Sequence, residues 1–127
     1  MRKRLVLLLV IFITLFNFIP LHDAEMQTER KWTVEDSKSY AKDAVLKWSL
    51  TEWKCLDNLW TKESNWRPGA YNPVKVMGKN AGGIPQILGL SPDTNPTEQI
   101  DRGVSYVFHR YGTFCNAWKH FQRKGWY

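Results

Sequence analysis

Residues 55–66 read Cys55-Leu56-Asp57-Asn58-Leu59-Trp60-Thr61-Lys62-Glu63-Ser64-Asn65-Trp66, and the reading of this stretch decides the fold. Leu56, Leu59, Trp60 and Glu63 recur at helical spacing, so a helix from about Thr51 to Glu63 carries an apolar stripe that ends on a carboxylate. Glu52, Lys54, Asp57 and Lys62 fall mostly on the other faces. A carboxyl group on the apolar stripe loses part of its water, which penalises the charged form and raises its pKa. A general acid working near neutral pH needs that state. A Glu near a helix end is nonetheless more often a solvated surface group or the partner of a nearby Lys, so position alone does not assign the role.

Upstream, Thr33 can cap a helix whose first turn holds Glu35 and Asp36, and Ala41, Ala44, Val45 and Trp48 follow at helical spacing. Downstream, Arg67-Pro68-Gly69 ends the central helix at the latest, and residues 68–92 are rich in Gly, Pro and Asn, predicting loops and a short hairpin around Val74 to Met77. Asn95-Pro96-Thr97-Glu98 is a helix start: Asn95 caps, Pro96 suits the first position and Glu98 completes a capping box. Ile100, Val104, Val107 and Tyr111 share one side of the helix that follows, and Gly112 stops it. A last helix is expected from Phe114 to Lys124, ending at Gly125. The expected class is α+β, predominantly helical, with a loop-rich middle that shapes a groove.

A chain of 127 residues holds one domain. Met1-Arg2-Lys3-Arg4 is basic and Leu5 to Ile19 is apolar apart from Thr14 and Asn17, the layout of a secretory leader. Residues 1–24 are therefore expected to be a signal peptide or, if uncleaved, an N-terminal membrane anchor; 25–31 a polar tether; and 32–127 the domain. Loss of the leader removes Arg2, Lys3, Arg4 and Asp23, taking the net charge from +6 to +4. A positive surface outside the cell suits anionic wall polymers or a membrane surface, and charge alone also allows nucleic acid. Cys55 and Cys115 both follow the leader; an even number in an exported chain favours a disulfide, the alternative being two separate buried thiols. His109 and His120 have no Cys, His or carboxylate neighbour at metal-ligand spacing and read as helix-surface groups, so no metal is expected.

The stretches Cys55 to Trp60, Glu63-Ser64-Asn65-Trp66, Tyr71-Asn72-Pro73 and Gly83-Ile84-Pro85-Gln86 resemble, in order and spacing, the lytic transglycosylase (SLT-like) branch of the lysozyme-like superfamily. The resemblance continues through Asn95-Pro96, Gln99-Ile100, Gly103, Tyr106, Arg110-Tyr111-Gly112, Cys115 and Ala117-Trp118 to Gly125-Trp126-Tyr127, covering about residues 48–127. It implies a lysozyme-like fold with Glu63 as catalytic acid/base, Ser64 orienting it or touching substrate, and Gln86 bonding the glycan. Many relatives carry a tyrosine in an A-Y-N-A-G motif near the acid; here the similar stretch is Asn116-Ala117-Trp118, leaving Trp118 and Tyr111 as candidates for that place. The segment before Gly83 reads Lys79-Asn80-Ala81-Gly82 rather than the family's G-A-x-G lead, and Ile87 to Thr94 is shorter than in relatives.

The resemblance implies cleavage between N-acetylmuramic acid and N-acetylglucosamine of peptidoglycan, leaving 1,6-anhydro ends, with no cofactor and no nucleic-acid partner, by a monomer in the cell envelope or outside the cell. Hydrolases of sugars normally need two carboxylates. Asp57, Asp93, Glu98 and Asp101 each read as structural or surface charges, which leaves Glu63 as a single acid. Trp53 and Trp60 are expected in the core, and Trp66 and Trp118 in the groove, where flat rings stack on sugars. Trp126 and Tyr127 are expected to pin the terminus. The competing functions are a muramidase of the same fold that uses water, a non-catalytic wall-binding module, and a small basic protein acting on membranes.

Overall fold

The computed structural model describes residues 30–127; the expected leader, and the tether up to residue 29, lie outside the described residues. Thr33 opens helix α1 (Val34–Val45) by a reciprocal cap, its hydroxyl accepting from the Asp36 N–H at 3.1 Å while the Asp36 carboxylate accepts from the Thr33 N–H at 2.8 Å. Ala41 and Val45 form the buried stripe of α1. Trp48, expected on that stripe, falls beyond the helix end; it is half exposed, with its ring centroid 4.5 Å from that of Phe108.

Helix α2 (Leu50–Ser64) starts on Ser49, whose hydroxyl accepts from the Glu52 N–H, and stops where Asn65 turns left-handed at φ 52°. Leu56, Leu59 and Trp60 are fully buried, as the apolar spacing predicted. Helix α3 (Pro96–Tyr111) begins on Asn95, whose Oδ1 accepts from the Thr97 N–H at 3.0 Å. Glu98 does not reciprocate that cap; it pairs at 2.8 Å with Arg102, one turn on. Helix α4 (Phe114–Lys124) is capped by Thr113 and ends on left-handed Gly125.

Between α2 and α3 lies an antiparallel sheet of three strands, β1 (Tyr71–Val76), β2 (Lys79–Gly82) and β3 (Ile87–Leu88), ordered β1-β2-β3. Met77 and Gly78, both at positive φ, make the tight turn between β1 and β2 that the right-handed twist of a hairpin favours. Val76 faces Lys79 and Lys75 faces Asn80, and the register then shifts before Tyr71 meets Gly82. The expected hairpin is present and longer than predicted, and all of β1 is exposed.

The core gathers around α2. Trp53 and Trp60 are buried as expected, and Trp66 joins them, its ring centroid 5.7 Å and 5.1 Å from theirs. Cys55 and Cys115 are bonded, tying α2 to the start of α4 across 60 residues. Gly103 is buried where α3 crosses Trp60 and Pro85; a Cβ there would stand 2.5 Å from the indole and 2.8 Å from the proline ring. Among the described residues the class is thus α+β, with four helices and one small sheet. No helix among them is long and apolar enough to cross a membrane.

Candidate active site

Glu63 lies in the last turn of α2 and opens onto a cavity of about 610 Å³. The sheet contributes Asn72, Val76, Met77 and Ala81 to its wall, and Gln86, Ile87 and Leu88 follow from the next segment. Tyr106 and Arg110 of α3 and Gly125, Trp126 and Tyr127 close the other side. Glu63 is the one acidic side chain in this lining. Burial raises its pKa from 4.5 to about 7, and no donor among the described residues reaches it to stabilise the anion. The carboxyl group therefore holds its proton far more readily near neutral pH than an ordinary Glu does, which lets it both give and take a proton.

The wall beside Glu63 is fastened from two helices. Ser64 is buried, and its hydroxyl donates to the Ile84 carbonyl at 2.6 Å, joining the end of α2 to the segment Gly83–Gln86. Fully buried Gln99 of α3 accepts from the Ile84 N–H at 2.9 Å through Oε1, while its Nε2 reaches the carbonyls of Thr94 at 2.8 Å, Pro68 at 3.2 Å and Pro92 at 3.3 Å. One amide thus gathers three chain segments behind the site, and it satisfies the buried Ile84 N–H. The Tyr127 hydroxyl completes the support, donating to the Pro85 carbonyl and accepting from Trp60 Nε1 at 2.9 Å. Burial, and next the nearby Glu63 charge, hold this phenol protonated well above its usual range.

Gln86 adopts the left-handed region at φ 52°, which costs a non-glycine residue about 1–2 kcal/mol. The strain is held in place because Nε2 donates to the Gly83 carbonyl at 2.9 Å and the Ala70 carbonyl at 3.2 Å. Both partners are acceptors, so the amide nitrogen faces them and Oε1 is left for a ligand.

Of the residues the sequence singled out, Glu63 and Gln86 meet at the cavity, and Ser64 sits behind it as a buried strut that orients the loop rather than as a ligand contact. Trp66 is a correction. The left-handed turn through Asn65 and Trp66, at φ 52° and 60°, swings its indole into the core, where it is fully buried and donates to Asp57 at 2.9 Å. It offers no face for a sugar. Trp118 is a second correction: its ring stacks on Phe121, centroids 5.7 Å apart, away from the cavity lining. Tyr111 is not among the lining residues but stands close to them: its ring packs against His120 at 5.2 Å and Tyr127 at 6.2 Å, its hydroxyl is buried with no hydrogen-bond partner among the described residues, and burial, with the Glu63 charge among the smaller causes, raises its pKa.

Tyr106, Arg110 and Trp126 line the site without having been assigned to it. Tyr106 and Arg110 are four residues apart on α3 and off the Ile100-Val104-Val107 stripe, so the apolar periodicity did not single them out. Asp57, read as structural, bonds Trp66 and pairs with Lys38 at 3.0 Å. His120 is not a plain surface group: its Nε2 is buried without a partner and its ring meets Trp126 edge-on at 4.6 Å. Among the described residues no group of three or more His, Cys, Asp or Glu is arranged to hold a metal ion.

No family profile, curated protein or solved structure matches the chain. The chemistry is therefore inferred from the cavity. It offers one acid of raised pKa, one guanidinium, two neutral amides, and aromatic and aliphatic walls. That set suits proton transfer to a hydroxyl-rich ligand with apolar faces.

Proposed function

We propose that the chain is a peptidoglycan lytic transglycosylase with a lysozyme-like fold, and that Glu63 is its acid and base. The observation that carries the proposal is a half-buried carboxyl group of pKa about 7 standing as the lone acid in a sugar-sized cavity. A second cavity of about 370 Å³ shares Ile87, Leu88 and Tyr106 with the first, which supports an extended ligand such as a glycan strand.

In the proposed reaction Glu63 gives its proton to the glycosidic oxygen as the bond from that oxygen to C1 of N-acetylmuramic acid breaks. The carbonyl oxygen of the sugar's own N-acetyl group closes on C1 and takes up the positive charge. Glu63, now an anion, removes the proton of the C6 hydroxyl; O6 bonds to C1, the N-acetyl oxygen leaves, and a 1,6-anhydro end results. Each proton and electron pair is accounted for without water, metal or cofactor. A hydrolase of two carboxylates would need a second acidic side chain in the lining, where the other polar side chains are those of Asn72, Gln86, Arg110, Tyr106, Trp126 and Tyr127. Gln86 Oε1 would accept from a sugar hydroxyl or amide, and Trp126 and Tyr106 would stack on ring faces. A monomer acting in the cell envelope or outside the cell, drawn to anionic wall polymers by its positive charge, completes the proposal.

The test is the purified protein beside Glu63→Gln on isolated sacculi, with the masses of released muropeptides recorded. The expected result is anhydro products, and a fall of at least about 100-fold in the variant, since general acid catalysis contributes roughly 10²–10⁴-fold. The rate should also decline as pH rises through about 7, where Glu63 loses its proton. Reducing ends in place of anhydro ends would make the enzyme a muramidase. Equal activity of the two proteins would remove Glu63 from the chemistry.

A further inference from the structure

Arg110 lines the same cavity as Glu63 but has no part in the proton transfers above. Its Nη1 donates to the Tyr106 hydroxyl at 2.8 Å. The guanidinium carbon lies 5.3 Å from the Trp126 ring centroid and 5.7 Å from those of Tyr106 and Tyr111. Lys38 pairs with Asp57 and Arg102 with Glu98, and neither pair involves Arg110. Glu63 does not serve it either: burial alone accounts for the raised Glu63 pKa, whereas a cation bonded to that carboxyl would have held it down. The cavity thus holds a cation and an acid that are not paired with each other.

Three aromatic rings around the guanidinium favour its charge and limit its swing, so the donors along its edge are what a ligand meets. That planar fork matches a carboxylate, which it can bind through two parallel hydrogen bonds. The Asn72 and Gln86 side chains of the nearby wall are neutral, so neither offers the guanidinium an anion in place of the ligand's. We infer that Arg110 is a specificity residue that binds a carboxylate carried by the substrate close to the scissile bond, so that the site selects acidic glycans over neutral ones. The inference rests on the glycan-cleaving function proposed above. In peptidoglycan the carboxylate has two sources: the lactyl group of a muramyl residue whose peptide has been removed, or the stem peptide where that lactyl group is amidated.

Native protein, Arg110→Gln and Arg110→Lys are compared on four substrates. These are stem-free strands, stem-bearing strands, and each of the two after its carboxylates have been converted to neutral amides. The native protein is expected to cleave at least one acidic strand with kcat/KM about tenfold above that of its amidated form, the order of effect of one charge-assisted hydrogen-bonded pair. Arg110→Gln should treat acidic and amidated strands alike, while Arg110→Lys keeps part of the preference. A preference on stem-free strands assigns the lactyl carboxylate, and one confined to stem-bearing strands assigns the peptide.

Equal rates of the native protein on acidic and amidated strands, or a preference that survives in Arg110→Gln, overturns the role of Arg110 and leaves that of Glu63 intact. If none of the four strands is cleaved, the transglycosylase function fails instead, and cosedimentation of the native protein and of Arg110→Gln with the same strands decides the role of Arg110. Stronger binding of acidic than of amidated strands, lost in the variant, supports the carboxylate site. Equal binding, or none, overturns it.

Discussion

The two ends of α2 carry glutamates in opposite circumstances. Near the start, the Glu52 carboxylate accepts from the N–H groups of Phe114 at 2.7 Å and Cys115 at 3.2 Å, the exposed donors at the beginning of α4. At the finish, Glu63 faces a cavity, without a donor among the described residues, and burial drives its pKa to about 7. The same side chain on the same helix is thus a structural tie at one end and a reactive group at the other. Residue type does not make the difference; the groups that other segments bring to each end do.

The largest expected effect on stability falls at the tied end. Replacing Cys55 and Cys115 together by Ser should cost about 4 kcal/mol in the chain-entropy picture, given the 60 residues enclosed, and be read as a fall in the midpoint of denaturant unfolding. Next, Gln99→Ala strips the clamp from behind the reactive end. It leaves the Ile84 N–H and the carbonyls near Gln99 Nε2 unpaired, and should cost roughly 3 kcal/mol and lower glycan cleavage as well. Glu52→Ala removes an anionic acceptor from the head of α4 and should cost about 2 kcal/mol, while cleavage per folded molecule stays unchanged. A large loss of cleavage in this variant would break the contrast between the two ends.

The smallest and sharpest test reverses the sign. Between pH 4.5 and about 7 native Glu63 keeps a proton that the unfolded chain has released, so stability declines as pH rises through that window. Glu63→Gln has no such proton to lose. It should match the native protein near pH 4 and exceed it by roughly 2 kcal/mol at pH 8, each pK unit being worth about 1.4 kcal/mol and water still reaching part of the carboxyl. Paired melting curves at the two pH values check this. A variant less stable at pH 8 would show that the carboxylate is bonded rather than merely desolvated.

What could be read in the sequence was what short-range geometry controls. Thr33, Asn95 and Pro96 announced helix starts within a few residues, and Leu56, Leu59 and Trp60 placed Glu63 on the apolar stripe of α2. The two cysteines, alone after the leader, pointed to each other. What escaped depends on turns and distant partners. Trp66 follows Glu63 by three residues, and the left-handed turn through Asn65 and Trp66 sends its indole inward instead of toward the groove. Tyr127 meets Trp60 across 67 residues of chain, and no local pattern foretold that its hydroxyl would brace Pro85. Arg110 was hidden for another reason: a cation beside an apolar stripe carries no local sign of a cavity until Trp126 is folded against it.

Gly103 gives these supports a common pivot. With no side chain of its own it lets α3 settle directly on the Trp60 indole and the Pro85 ring, the two groups that hold the Tyr127 hydroxyl from either side. One methyl group added there would act as a wedge in a closed joint. The displacement would travel outward through tryptophan and proline to the seat of the acid, so a buried position that touches no ligand would tune the width of the cleft.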